Sequence, residues 1–125
     1  MTRILPILGL AAAGFLCIAA DTSLVDKAFG NTILQTYPDG RTGELWLAPG
    51  GTYTAQGRRH DPSNGRWKLK GGKICFKQIS PRPILPITIC KAMPMGKVGA
   101  SWSDTAVTGE KIQVKLVMGH VTGPH

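Results

Sequence analysis

The chain of 125 residues is short of the side chains from which most catalytic and metal sites are built. It has seven Asp and Glu in total, three histidines and three cysteines. No two histidines have the i, i+4 spacing and no Cys-x-x-Cys occurs, which argues against a zinc site. Ser101, Ser103 and Asp104 lie close in sequence, but no nucleophile elbow surrounds them. We therefore expect no enzyme, no metal and no cofactor.

The chain also has only one long apolar run, at residues 4–18. A basic residue precedes it and two alanines follow it, which is the pattern of a secretory signal peptide. Cleavage after Ala19 is favoured, giving a signal peptide at 1–19 and one β-rich exported domain at 20–125. Two alternatives stay open: an uncleaved anchor, for which the run is short, and a lipoprotein signal with Cys17 lipidated. We expect a periplasmic or secreted protein with no membrane span after cleavage.

Acidic residues are outnumbered by 15 Lys and Arg, which gives a net charge of +8. The charge becomes +7 when Arg3 leaves with the signal peptide. A basic exported protein meets anionic partners such as lipid headgroups, wall polymers and acidic proteins. The alternative is that net charge only keeps the protein soluble.

Signal cleavage leaves two cysteines, Cys75 and Cys90, which an oxidising compartment would join. Pairing them in an antiparallel hairpin places Phe76 opposite Ile89 and turns both apolar faces the same way. The sequence thus predicts a structural disulfide that closes a loop of about 15 residues.

Glycine and proline interrupt the rest of the chain about every ten residues, between segments rich in Val, Ile, Thr and aromatics. This spacing predicts an all-β fold, a small antiparallel β-barrel or meander, after a short N-terminal helix ended by Gly30. Turns are predicted at residues 38–40, 49–51, 62–65 and 71–72. The tail at 119–125 is expected to fray. The eight predicted strands cover residues 32–37, 44–47, 52–56, 66–70, 73–79, 87–91, 98–101 and 112–118.

Five short motifs form a pattern: Phe29-Gly30-Asn31-Thr32, Tyr37-Pro38-Asp39-Gly40, Gly51-Thr52-Tyr53, Gly65-Arg66-Trp67 and Lys73-Ile74-Cys75. Across residues 28–92 this pattern resembles a loose group of small exported bacterial proteins of unknown function, in which a Gly-x-Trp strand precedes a cysteine strand. The resemblance implies a β-rich fold and export, and no activity. The layout is also similar to small β-barrel inhibitors of secreted metalloproteases, whose N-terminal inhibitory segment has no match here.

A cluster of cations is the clearest functional signal. Arg66, Lys68 and Lys70 lie on one face of a predicted strand, and Lys77 on the next strand extends their row. We expect this row to bind an anionic partner at a sheet face or edge. The alternative is that outward lysines only protect a sheet edge from aggregation. Nucleic acid is not expected, because the nearby Trp67 and other aromatic rings face the core.

The proline-rich connection at residues 80–86 is a second candidate contact. It is stiff and presents Ile84 and Leu85, which would suit an inhibitor or an adaptor. Folding back over the barrel is the alternative. Together the two features predict non-catalytic binding of a protein or an anionic envelope component.

The alternative function is a lipocalin-like carrier that holds a small apolar ligand in the barrel interior. Trp46, Trp67 and Trp102 are expected to be core anchors, and in an open barrel one of them would line the cavity. The sequence leaves open the oligomeric state, the partner and whether the sheet closes.

Overall fold

A computed structural model of the chain describes residues 25–124. Within them, one antiparallel sheet of eight strands curls into a half-barrel. The strands are β1 Thr32–Thr36, β2 Thr42–Leu47, β3 Thr52–Gln56, β4 Pro62–Lys70, β5 Lys73–Ser80, β6 Thr88–Lys91, β7 Ser101–Thr105 and β8 Lys111–Val117. The predicted all-β fold is therefore confirmed.

The order of strands in the sheet is β6-β5-β4-β3-β2-β1-β8-β7. The first six strands form a meander of hairpins, and the chain then crosses so that β8 pairs with β1. As a result β6 and β7 are the two edges of the curled sheet. No backbone ladder joins them within the described residues.

Alternation along each strand separates an inner from an outer face. In β4, Trp67 is 8% exposed and points into the core, whereas Arg66 and Lys68 are exposed on the outer face. In β8, Ile112 and Val114 are buried and Gln113 between them is exposed. The period of two that predicts these strands thus also defines the barrel interior.

The hydrophobic core fills the curl of the sheet. Each side chain comes from the inner face of a strand or from the segments before β1 and after β6. Its fully buried members include Val25, Ile33, Ile74 and Leu116. Trp67 anchors one side, because its indole Nε1 donates a hydrogen bond to the carbonyl oxygen of Ala48 at 2.9 Å.

The turn predicted at residues 62–65 is wrong, because these residues are the first half of β4. The chain turns earlier, where the His60 amide donates to the Gly57 carbonyl and His60 has a φ of 66°. A register shift between Asn64 and Gly65 marks a β-bulge. Gly65 therefore lies within a strand and not in a turn.

Gly65 makes room for the ring of Tyr53, its partner across the β3–β4 ladder. A Cβ at this position would lie 2.8 Å from Cε2 of Tyr53 and 2.1 Å from the carbonyl oxygen of Lys77. Only glycine allows β3 and β5 to approach β4 this closely. The Gly-x-Trp motif is thus a packing device: its glycine accepts one aromatic ring and its tryptophan anchors the core.

The seventh strand lies at Ser101–Thr105, so the prediction at residues 98–101 is wrong. Gly99 has a φ of 97°, and the Ala100 amide donates to the Lys97 carbonyl, so a turn occupies the predicted strand. The sequence pattern hides β7 because Asp104 occupies an inward position that an apolar residue would normally fill.

The tail does not fray. The Gly123 amide donates to the Glu44 carboxylate at 2.8 Å, and the Thr42 amide donates to the Pro124 carbonyl at 2.6 Å. The Val121 amide donates to the Thr32 hydroxyl at 2.9 Å. The tail thereby covers the outer face of β1 and β2, where Glu44 is 2% exposed.

Trp46 lies under this tail and not in the core, which corrects the prediction for this residue. Its ring stacks on His120 with centroids 4.1 Å apart, and its indole Nε1 donates to the Thr32 hydroxyl at 2.9 Å. Trp67 and Trp102 face the interior as predicted.

The N-terminal predictions fall largely outside the described residues. The predicted signal peptide at 1–19 lies wholly outside them. Of the predicted short helix, the described part contains a single 3-10 turn at Asp26–Ala28. No helix in residues 25–124 has the length and apolarity needed to cross a membrane.

The disulfide between Cys75 and Cys90 forms in the predicted register, with Phe76 opposite Ile89 and Lys77 opposite Thr88. It joins β5 to the edge strand β6 on the outer face of the sheet. A structural disulfide is typical of proteins that fold in an oxidising compartment.

Candidate binding surfaces

The outer face of the β4–β5 hairpin brings the predicted cations together. Arg66 lies directly opposite Lys77, Lys68 lies opposite Cys75, and Lys70 lies opposite Lys73 at the turn. Like charges directly opposed on one sheet face repel each other and destabilise the pair. This hairpin therefore holds two repulsive pairs on one face.

None of these five cations has an acidic partner within 4.0 Å among residues 25–124. The salt bridges of the same region of chain go elsewhere: Arg58 to Glu110, and Lys91 to Asp104. Within the described residues, consequently, no ion pair offsets the positive charge of the hairpin.

Arg66, Lys68 and Lys77 line an open groove of about 470 Å³, the basic groove. Cys75 and Thr88 form part of its wall, so the disulfide holds the groove's far side in place. Lys70 does not line it and lies at the β4–β5 turn. Of the four predicted cations the structure thus groups three and leaves the fourth at the end of the row.

The proline connection begins three residues beyond Lys77 and projects from the β5–β6 hairpin. Ile84 is 98% exposed and Leu85 is 68% exposed, and they do not fold back over the barrel. Ile79 and Ile87 beside them are 52% and 54% exposed. We call these four residues the apolar tip, and it adjoins the basic groove through Lys77 and Thr88.

Two hydrogen bonds stabilise the shape of this loop. The Gln78 side-chain Nε2 donates to the Pro81 carbonyl at 2.7 Å, and the Ile87 amide donates to the Leu85 carbonyl at 2.9 Å. Three prolines add further stiffness by fixing φ. The apolar tip is therefore presented on a braced support.

A third feature, which sequence reasoning missed, lies where the sheet does not close. Lys91 points inward from β6 and Asp104 points inward from β7, with Nζ 3.3 Å from Oδ1. Lys91 also donates to the Thr105 carbonyl. We call this gap the seam. The available signal was the odd inward charge in each short strand, since an edge strand tolerates inward charges.

Behind the seam is an interior cavity of about 300 Å³. Its apolar wall includes Leu45, Phe76 and Ile112, and its polar end includes Gln35 and Gln78. Trp67 and Trp102, the inward-facing tryptophans, are not among the residues that line it.

Three turns meet at one end of the half-barrel around Arg58. Its guanidinium forms a bidentate pair with Glu110, at 2.8 and 3.2 Å, and lies 4.3 Å from the ring centroid of Tyr37. The hydrogen bond from Arg58 lowers the pKa of Glu110 and raises that of Arg58 itself. Burial raises the pKa of Tyr37 above 10.0. This cluster joins the β1–β2, β3–β4 and β7–β8 turns.

Polar groups that suggest chemistry in sequence are dispersed in space. Ser101 and Ser103 face outward from β7 while Asp104 faces inward to Lys91. No group of three or more His, Cys, Asp or Glu within residues 25–124 is placed to hold a metal ion.

The chain has been compared with family models, with curated proteins and with solved structures, and none of the three comparisons finds a match.

Proposed function

We propose that this chain is an exported, non-catalytic binding protein that docks onto an anionic lipid surface of the cell envelope. The observation that carries the proposal is the set of five cations on the β4–β5 hairpin. Four of them form two directly opposed like-charge pairs, Lys68 lies between these pairs opposite Cys75, and none of the five has an acidic partner within 4.0 Å among the described residues. Their mutual repulsion is relieved when an anionic surface supplies the missing charge.

The apolar tip favours lipid over a polymer as the partner. Ile84 and Leu85 are exposed on the loop that follows Lys77, so they would enter the acyl region while Lys77 and Arg66 contact the headgroups. Each Lys or Arg near an anionic membrane contributes about 1 kcal/mol, and each buried apolar side chain adds to this. Neither feature alone gives stable attachment, and together they do.

Two features support an oxidising, extracytoplasmic location, which we propose to be the periplasm or the medium. One is the signal-peptide pattern of residues 1–19. The other is the Cys75–Cys90 disulfide.

Vesicle binding tests the proposal. The mature protein is sedimented with vesicles of phosphatidylglycerol and phosphatidylcholine, and with vesicles of phosphatidylcholine alone, over a range of salt. We expect binding to the anionic vesicles that weakens as salt rises. Changing Lys68 and Lys77 to Gln should weaken it by about thirty-fold, because two contacts of about 1 kcal/mol are lost.

The matched control changes Lys111 and Lys115 to Gln, which removes the same charge from the outer face of β8. It should weaken binding by no more than a few fold. A second pair compares Ile84 and Leu85 changed to Ser with Val107 changed to Ser, since Val107 is 76% exposed elsewhere. Equal losses of vesicle binding in the Lys68 and Lys77 variant and in its control, or vesicle binding that does not change with salt, would overturn the proposal.

A protein partner is the second candidate, and the braced apolar tip favours it. A photoreactive residue at position 84 distinguishes the two. Cross-links to lipid support the membrane surface, whereas a discrete protein adduct that survives delipidation supports an inhibitor or adaptor.

A further inference from the structure

The interior cavity is a separate feature from the docking surface, because it opens on the opposite face of the sheet. It has a volume of about 300 Å³, at the lower end of the range for small-molecule sites. Liquid water occupies about 30 Å³ per molecule, so the cavity has room for a ligand on the order of ten non-hydrogen atoms. The wall is apolar on most sides and consists of Leu45, Tyr53, Phe76, Ile89, Met93 and Ile112.

Two aromatic rings lie side by side in this wall. Tyr53 and Phe76 meet edge to face with centroids 5.4 Å apart. Gly65 fixes this arrangement, because it allows the Tyr53 ring to lie against the backbone of β4. An edge-to-face pair leaves one ring face open to an incoming planar ligand.

One end of the cavity is polar and uncharged. Gln35, Gln78, Ser63 and Tyr37 line it. A second space of about 220 Å³ continues from these side chains toward the β3–β4 turn, and there the acidic residues Glu44 and Asp61 also form part of the lining, which disfavours an anionic ligand. Amide and hydroxyl groups both donate and accept hydrogen bonds, so they suit a neutral polar group. Burial raises the pKa of Tyr37, which keeps its hydroxyl neutral.

The charges at the seam compensate each other. Lys91 and Asp104 are 3.3 Å apart, with side chains 23% and 24% exposed. A ligand with a net charge finds no free counter-charge there unless it breaks this pair, and burying an unpaired charge is unfavourable. A neutral ligand passes the pair without that penalty.

We propose that the interior cavity binds a small neutral aromatic molecule that carries one hydroxyl, carbonyl or amide group. Its ring lies against Tyr53 and Phe76, and its polar group meets the Gln35 and Gln78 end. The ligand enters through the seam, where β6 and β7 share no backbone ladder within the described residues. This site does not depend on the proposed docking function.

Three probes that differ in one substituent test the ligand class: 2-naphthol, naphthalene and 2-naphthalenesulfonate. We expect saturable 1:1 binding of 2-naphthol with a Kd on the order of 10 µM. Naphthalene should bind about three- to tenfold more weakly because it lacks the hydrogen-bonding group. Binding of the sulfonate as tight as that of 2-naphthol would overturn the neutral assignment.

A filling substitution tests the location. Ala55 lines the cavity from β3, and the neighbouring Thr54 is exposed on the outer face of the same strand. Ala55→Leu should weaken 2-naphthol binding at least tenfold, and the matched control Thr54→Leu should leave it within twofold. Ala106→Met, on the other side of the cavity, gives a second filling variant.

Thermal unfolding of each variant shows that it is folded before binding is measured. No saturable binding by the native protein, or unchanged binding in both folded filling variants, would overturn the proposal. Vesicle binding is measured in parallel with the same variants. Since Ala55 and Ala106 lie inside the barrel, their variants should still bind vesicles, so the two proposals fail independently.

Discussion

Lys91 and Asp104 join the two edge strands of a sheet that no backbone ladder closes, with Nζ and Oδ1 3.3 Å apart. Both side chains point into the barrel. Their ion pair joins the two edge strands, which a ladder of backbone hydrogen bonds does in a closed barrel. It also places charged side chains on the inner face of both edges, which discourages pairing with a strand from another molecule.

Breaking this pair should loosen the seam. Asp104→Asn keeps the shape of the side chain, removes its charge and should lower the free energy of unfolding by about 1 kcal/mol, since both groups are partly exposed. A double-mutant cycle with Lys91→Met, followed by urea unfolding, measures the coupling. Strictly additive effects of the two substitutions would show that the pair contributes nothing to closure.

Gly65→Ala should destabilise the fold by about 3 kcal/mol, because overpacking at a rigid contact forces backbone to move. The added Cβ would meet the Lys77 carbonyl and the Tyr53 ring. Gly50→Ala is the matched control, since a Cβ there meets nothing within 4 Å. Chemical unfolding of both variants checks the prediction, and similar midpoints would contradict it.

Loss of the disulfide should lower the free energy of unfolding by about 3 kcal/mol, because a loop of about 15 residues is no longer closed in the unfolded chain. The variant with both Cys75 and Cys90 changed to Ser is compared with the native protein by urea unfolding, with and without reductant. The native protein under reductant should match the variant. A reductant effect on the variant itself would point to another cause.

The Arg58–Glu110 pair predicts a specific acid dependence. The folded protein holds the pKa of Glu110 below its ordinary value of 4.5, so the ionised carboxylate stabilises the fold. That contribution is complete above pH 4.5 and disappears as the pH falls through the lower, folded pKa. Native protein and Glu110→Gln should therefore differ in stability at neutral pH and converge in acid.

Thermal unfolding at a series of pH values measures this convergence. Asp26→Asn is the control, because Asp26 is exposed and has no salt bridge within residues 25–124. Its difference from the native protein should stay small throughout. A Glu110→Gln difference that persists unchanged in acid would contradict an ionic origin.

Removal of residues 120–125 should destabilise the fold by about 2 kcal/mol, because hydrogen bonds to buried groups of β1 and β2 are lost. The amide of Thr42, which donates to Pro124, should then exchange faster with solvent. His120→Ala removes only the stack on Trp46 and should leave Thr42 protected. Hydrogen exchange distinguishes these outcomes, and fast exchange of Thr42 in the native protein would refute tail docking.

The sequence predicts the fold correctly where the alternation of apolar and polar residues matches the burial of their side chains. Alternation around Trp67 and around Cys75 gives the strands, the faces and the disulfide register, all of which the structure confirms. The three cations of the basic groove follow from the same alternation. Short-range periodicity is enough here because each of these strands has an apolar inner face and a polar outer face.

The errors arise where tertiary contacts override local pattern. Asp104 breaks the apolar alternation of β7 because its partner, Lys91, lies on the opposite edge strand, 13 residues earlier in the chain. Glycine is typical of a turn, yet Gly65 lies in a strand, where it leaves room for the ring of Tyr53 on the paired strand. Trp46 is a large aromatic residue, which is typical of a core position. It lies instead on the outer face of the sheet, where the tail covers it and its ring stacks on His120. These contacts depend on strand register and on the docking of the tail, which the alternation within a single strand does not predict.

The position of the disulfide links the maturation of the chain to the surface it presents. Cys75 forms part of the wall of the basic groove, and its bond to Cys90 secures an edge strand of only four residues. While both cysteines are thiols, β6 is held by its ladder alone and the groove lacks a fixed far side. A newly made chain in a reducing compartment would thus carry its full positive charge without the finished groove. Under the proposed function, oxidation would fix the far side of the groove only after export from the reducing cell interior, away from the nucleic acids and acidic lipids there.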